Sequence, residues 1–439
     1  MLAVFAVVGL LSVTVLHHSP AAHHQAAPAR PLPLPAQMVT DTLFRTLTKD
    51  LQAHDEAALL GLTAPAAKPA VRTWWENLNA IGYTTGLIIP AGSNSVVDLN
   101  SQGDGTITAL AGTHSTFDPS TSQGPDVPCE RYQLGLHFAS ATATGQITSW
   151  HPLGDAPWDQ GVRLYVRTGK HVVVAGPPAD SAEVDKILPL AETAANYDGA
   201  MLSHVNAHDL HQDGFIVFVG AAGAFATGPQ PAGWPRAYQG GRTLPLPGAN
   251  GDMTGIATGI SAGFTGGARV LAAPGQTTAQ LVRLFMLDIL APDDEALVNG
   301  MTPPATMPWM LQGLADAVQG LYQANPNPIL ARYDFSALTA EFRALPAAYR
   351  SGKLPTGSQL TGGTAARRKD WNAVAASVYA YIGRTYGMNQ MFGSAVLLYT
   401  GDTTPFGNVL ESSKAGTYTF YAPATLKARW HAWLARLAG

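Results

Sequence analysis

Two stretches of the chain are apolar at nearly every position of the helical period. The first follows Thr277, with Gln280 three residues on, and runs Leu281-Val282-Arg283-Leu284-Phe285-Met286-Leu287-Asp288-Ile289-Leu290 before Pro292. A Thr-x-x-Gln spacing is that of a capping box and predicts a helix start at Thr277; a helix apolar all round has to be buried. The second stretch opens at Pro308, a favoured first-turn residue, and reads Trp309-Met310-Leu311-Gln312-Gly313-Leu314-Ala315-Asp316-Ala317-Val318. Gly313 costs that helix stability unless close packing requires it.

Around this pair the period alternates between helix and strand. Val39, Leu43, Leu47 and Leu51, then Ala58, Leu59 and Leu62, recur on one helical face, and Pro69 to Ile81 continues the pattern with Val71, Trp74, Trp75 and Leu78. Strands are predicted at 86–90, 132–138 and 146–152, and the Gly- and Ser-rich stretch 92–128 reads as a long excursion with at most a short hairpin. Residues 161–175 read as a hairpin, 181–202 as a helix kinked near Pro189, and 215–219 and 268–271 as buried strands. Beyond Tyr322 come Pro-rich connections and helices over 371–386, capped by Gly387, 391–398 and 426–437. Helices and antiparallel strands in separate blocks predict an α+β fold class. The expected division is an N-terminal domain at 38–155 and a second domain at 156–437, its sheet part at 156–275 and its helical part at 276–437.

The first 37 residues differ from the rest. Leu2 to Leu16 is an apolar run, short for a bilayer span, and 18–37 is a Pro/Ala tract expected to be extended. The expectation is therefore a transmembrane-helix anchor or a signal segment at 1–17, contact with a membrane through it, and a body outside the cytoplasm or secreted. The chain has 439 residues, 46% of them hydrophobic and only 13% charged, with a net charge of −4, which argues against a nucleic-acid partner. Cys129 is the single cysteine, so no internal disulfide is available.

The helix pair resembles the core of the gluzincin metallopeptidases, the thermolysin-like zinc hydrolases, in the extracytoplasmic branch common in high-GC bacteria. In that family a buried helix carries Leu-x-His-Glu-x-x-His and a later helix carries Trp-Leu-x-Glu-Gly-x-Ala, whose Glu is the third zinc ligand. Aligned on Leu281-Val282 and on Trp309 to Ala315, the first ligand position is Arg283, the general-base position Leu284, the second ligand Leu287 and the third Gln312. No histidine lies between His211 and His431, so no shift of the alignment restores the set. A guanidinium has no lone pair to offer and repels a dication. The resemblance thus implies a gluzincin-like fold without metal, cofactor or catalytic residues, either binding an unknown peptide or protein, with Trp309 and Asp316 at the pocket, or serving as an envelope scaffold. Arg283 is expected to donate hydrogen bonds to Gln312 or Asp316, in the place a metal would hold. The region 38–155 resembles the cystatin-like cone fold of the nuclear transport factor family, through its element order and Trp74-Trp75.

One alternative chemistry is visible. His204, His208 and His211, at steps of four and three, share a helical face and form a candidate metal triad, which implies a hydrolase with an unrecognised site. Gly259-Ile260-Ser261-Ala262-Gly263 has the spacing of a nucleophile elbow without a strand before it and a helix after it, and Asp293-Asp294-Glu295 reads as a solvated acidic loop.

Overall fold

The computed structural model describes residues 34–91, 99–100, 102–117, 129–139, 144–153, 156–159, 161–203, 212, 214–220, 241–247, 265–290, 307–351, 353–392, 411–414, 417–420 and 423–438. The chain is α+β, as its pattern predicts. Three helices come first: α1 (Leu34–Gln52), α2 (Glu56–Gly61) and α3 (Lys68–Ala80). An antiparallel meander follows in the order β1 (Tyr83–Pro90), β2 (Asp104–Ser115), β3 (Cys129–His137) and β4 (Gln146–Pro152). Leu43, Leu47 and Leu51 are fully buried on the predicted face of α1, and Asp55 caps α2 by accepting from the Ala58 amide at 2.9 Å. Trp74 packs at a tilt against Trp150 at 5.0 Å between ring centres, and Trp150 likewise against Tyr132 at 4.5 Å.

The second sheet joins the two halves of the molecule. It has five strands, β5 (Tyr165–Thr168), β6 (Val172–Gly176), β7 (Phe215–Val219), β8 (Gly241–Pro247) and β9 (Thr265–Ala272), in the order β5-β6-β7-β9-β8. The inner pairs β6–β7 and β7–β9 are parallel and the outer ones antiparallel. Because side chains alternate across a strand, Val172 and Val174 enter the helical core while Val173 and Ala175 enter the core of the N-terminal region. Ile216, Phe218 and Leu271 face the same way, so one sheet closes two cores and is buried on both sides.

Helix α4 (Ser181–Ser203), with Pro189 inside it as expected, crosses from β6 to β7. The helices α5 (Thr278–Leu290), α6 (Met307–Ala324), α7 (Pro328–Ala331), α8 (Ser336–Ala344), α9 (Gly357–Thr361) and α10 (Ala365–Tyr386) follow, and the chain is helical again over 388–392. A hairpin, β10 (Glu411–Lys414) and β11 (Thr417–Phe420), precedes the last described helix, α11 (Pro423–Ala438).

Several expectations need correction. No helix among the described residues is long and apolar enough to cross a membrane, which overturns the transmembrane helix; the run 2–16 that suggested it lies outside the described residues. The Pro/Ala tract is not extended throughout, since α1 starts at Leu34 with Pro35 in its first turn, where proline costs no hydrogen bond. The excursion 92–128 contains the twelve-residue strand β2, whose small residues Ala109, Ala111 and Gly112 gave no hydrophobic alternation. Strand β8 was hidden by Pro245 and Pro247, which an edge strand accepts. The connections after Tyr322 hold α7, α8 and α9, too short to establish a period. The helix expected at 391–398 is described only as far as Phe392.

The junction between the halves carries two polar devices. Asn77 on α3 is fully buried and donates to the Trp158 and Val162 carbonyls, each at 2.9 Å, while accepting from the Leu164 amide at 2.8 Å. Beside it, the Tyr132 hydroxyl donates to Asp159 and lies 2.9 Å from Glu130 Oε2. One phenolic proton cannot serve two carboxylates, so the arrangement requires a proton on a carboxyl group. Burial raises Asp159 to about 7 against the lowering effect of the hydrogen bond from Tyr132, and burial and the Asp159 charge raise Glu130 well above the carboxylate range. A carboxyl group raised in the folded state contributes stability at low pH that is lost as pH rises through the folded value. Asp159→Asn, which keeps a donor without ionising, is therefore expected to lose less stability than the parent between about pH 4 and about pH 7, by urea midpoints. Equal losses in parent and variant would show that Asp159 is not the titrating group.

Candidate functional site

The predicted capping box starts α5: the Thr277 amide donates to Gln280 Oε1 at 2.8 Å, and the Gln280 amide to Thr277 Oγ1 at 3.3 Å. Every residue from Leu281 to Leu290 is buried, as an all-round apolar helix must be. Phe285 stacks flat on Phe215 of β7, 4.1 Å between ring centres and 7° between planes, which fixes the rotation of α5 on the sheet. Helix α6 packs between α5 and α10. Gly313 makes the second contact possible, because a Cβ there would stand 2.8 Å from the Ala375 carbonyl group. The helix-breaking residue is thus a close-packing residue.

That packing turns Arg283 toward α6. Its side chain is only 8% exposed, Nε donates to Asp316 Oδ1 and Nη2 donates to Gln312 Oε1. Gln312 and Asp316 are four residues apart and share a face of α6, so one planar guanidinium spans both. Burial raises the Asp316 carboxyl above its ordinary value, and the Arg283 charge and hydrogen bond oppose that rise. The expected pairing is thus present with both candidate acceptors.

The other candidate positions are apolar packing. Leu284 and Leu287 are 2% and 6% exposed within the helical core. Trp309 lies in the same core beside Tyr379, 6.3 Å between ring centres. It does not line the cleft described next, so of the two residues expected at a pocket only Asp316 does. His204, His208 and His211 lie outside the described residues, as do 259–263 and 293–295. Among the described residues no group of three or more His, Cys, Asp or Glu side chains is placed to hold a metal ion. The residues at the four positions that the gluzincin resemblance would assign to the metal site do not fit zinc either, since leucine offers no donor atom, arginine no lone pair, and Gln312 Oε1 already accepts from Arg283.

The pair opens on a cleft of about 580 Å³ between α5, α6, α8 and α10. Arg283 and Asp316 form part of its wall, with Gln319, Glu341, Arg368, Lys369 and Asp370 beyond them. Burial raises Glu341 above its ordinary value, and the Asp316 charge adds to the rise while Lys369 reduces it. The lining mixes amides, carboxylates and cations, and supplies donors and acceptors in comparable number. Sequence reasoning missed Glu341 and Lys369, which reach the cleft on α8 and α10 and belong to no motif. It also missed Asp288, 1% exposed on α5, which accepts from Gln212 Nε2 at 2.8 Å; a carboxylate inside so apolar a helix was the available signal.

No family model matches the chain, and no curated protein or solved structure matches it.

Replacing Arg283 by leucine is expected to leave Asp316 buried without its partner and to cost about 3–5 kcal/mol in denaturant unfolding. Adding Asp316→Leu to that variant should recover most of the loss, because the pair is then exchanged for apolar packing. Purely additive losses would mean that the two side chains are not coupled.

Proposed function

We propose that this chain is a non-catalytic, peptidase-like protein that binds an extended peptide or protein segment in the cleft beside Arg283, outside the cytoplasm. The observation that carries the reading is the Arg283 guanidinium held by Asp316 and Gln312. In the gluzincin arrangement that the helix pair resembles, this is where metal ligands would converge. A fixed internal cation there removes the electrophile and the activated water of such an enzyme but leaves the cleft and its walls. Amides and charges of both signs, as at Gln319, Glu341 and Lys369, suit a peptide backbone, which presents alternating donors and acceptors.

The purified chain, assayed with zinc supplied, is expected to hold no stoichiometric zinc and to hydrolyse no peptide. A binding peptide selected from a random library should lose affinity with Lys369→Gln or Glu341→Gln, each expected to cost about three- to tenfold. Stoichiometric zinc with peptide turnover, or selected peptides indifferent to both variants, would contradict the proposal.

A further inference from the structure

Helix α8 lines two grooves with two faces. Ala337, Glu341 and Ala344 look into the cleft already described, whereas Ser336, Thr339 and Arg343 line a second groove of about 490 Å³. The far wall of this groove is Gly383 and Arg384 from the last turn of α10, and its floor is Arg332 to Phe335, between α7 and α8. Three guanidinium groups, those of Arg332, Arg343 and Arg384, therefore share one concave surface.

Among the described residues, Arg343 and Arg384 have no ion-pair or hydrogen-bond partner for their side chains. Arg332 lies over the Tyr333 ring at 5.8 Å from its centre, and its Nε is buried without a hydrogen-bond partner. The one carboxylate in the lining, Asp334, is committed locally. Its Oδ1 accepts from the Ser336 amide at 3.0 Å, and hydrogen bonds from Ser336 hold it below its ordinary value. The nine-residue helix α8 also begins here, with no side-chain cap from Phe335, which adds the positive end of its dipole. The groove is thus cationic, in a chain whose net charge is −4.

The surface beside the arginines is apolar. Ile329, Leu330 and Tyr333 are 51%, 55% and 80% exposed, and they are three of the six large apolar side chains that the described residues leave exposed. A free oxyanion would leave this strip uncovered. A nucleic acid would need basic residues extending well past one groove, which a weakly acidic chain with mixed charges does not supply. The combination fits a chain that alternates acidic and apolar side chains.

We propose that this second groove binds an acidic peptide segment, carboxylates on Arg332, Arg343 and Arg384 and apolar side chains on Ile329, Leu330 and Tyr333. The site is separate from the cleft beside Arg283 and does not rest on the function proposed for it.

The test uses the full chain and three dye-labelled hexapeptides, alternating leucine with glutamate, with glutamine or with lysine, followed by fluorescence anisotropy. The glutamate peptide alone should bind, and Arg343→Gln with Arg384→Gln should weaken it about tenfold or more, while Lys369→Gln in the other cleft should not. Both substituted arginines are exposed, so the fold is expected to survive. Absence of binding, equal binding of the glutamine peptide, or an affinity unchanged in the double variant would overturn the proposal. So would inorganic phosphate displacing the peptide at equal concentration, which would mark a simple oxyanion site. Loss of binding with Lys369→Gln alone would place the peptide in the first cleft and overturn the second.

Discussion

A guanidinium enclosed between two helices imposes its own terms on them. Arg283 cannot shed its proton, and with 8% of its side chain exposed it must be met by acceptors at fixed positions. Asp316 and Gln312 meet that demand from one face of α6, which ties the rotation and the register of α6 to those of α5. Phe285 on Phe215 sets α5 against the sheet, and Gly313 at Ala375 sets α6 against α10. The ion pair sits where these constraints meet. It is weak evidence for stability in itself, since desolvation offsets much of its attraction, but it is strong evidence against a metal between the same helices.

The sheet extends the same logic to the whole molecule. Its central strands alternate Val172 and Val174 toward the helices with Val173 and Ala175 toward the N-terminal core, so neither half has an independent face of its own there. Trp158 packs on Phe218 across this boundary, 5.1 Å between ring centres, next to Asp159, which accepts from the Tyr132 hydroxyl. The two parts are therefore docked through apolar contact and registered through Asn77 and the Tyr132 cluster.

What could be read from the sequence follows from how strongly each segment is periodic. Helix α5 declared its cap, its burial and its end, and the partners of Arg283 were legible because Gln312 and Asp316 stand one turn apart on a helix already placed. Strand β2 was not legible, because alanine, glycine and threonine carry little hydrophobic contrast although Ala109 is fully buried. Strand β8 contradicted its own propensity with two prolines, and only its edge position explains it. The clefts were invisible for a different reason: Glu341, Lys369, Arg343 and Arg384 are ordinary surface residues in sequence, and only the packing of α8 against α10 brings them to shared walls.

We propose that α5 and α6 keep the spacing of a zinc site whose donors are replaced by Arg283, Leu287 and Gln312. It is tested most directly by restoring them: Arg283→His, Leu287→His and Gln312→Glu in one chain, titrated with zinc alongside the parent. The account predicts one tightly bound zinc in the folded triple variant and none at that place in the parent. A triple variant that folds, by its near-ultraviolet circular dichroism, yet binds no zinc would contradict it.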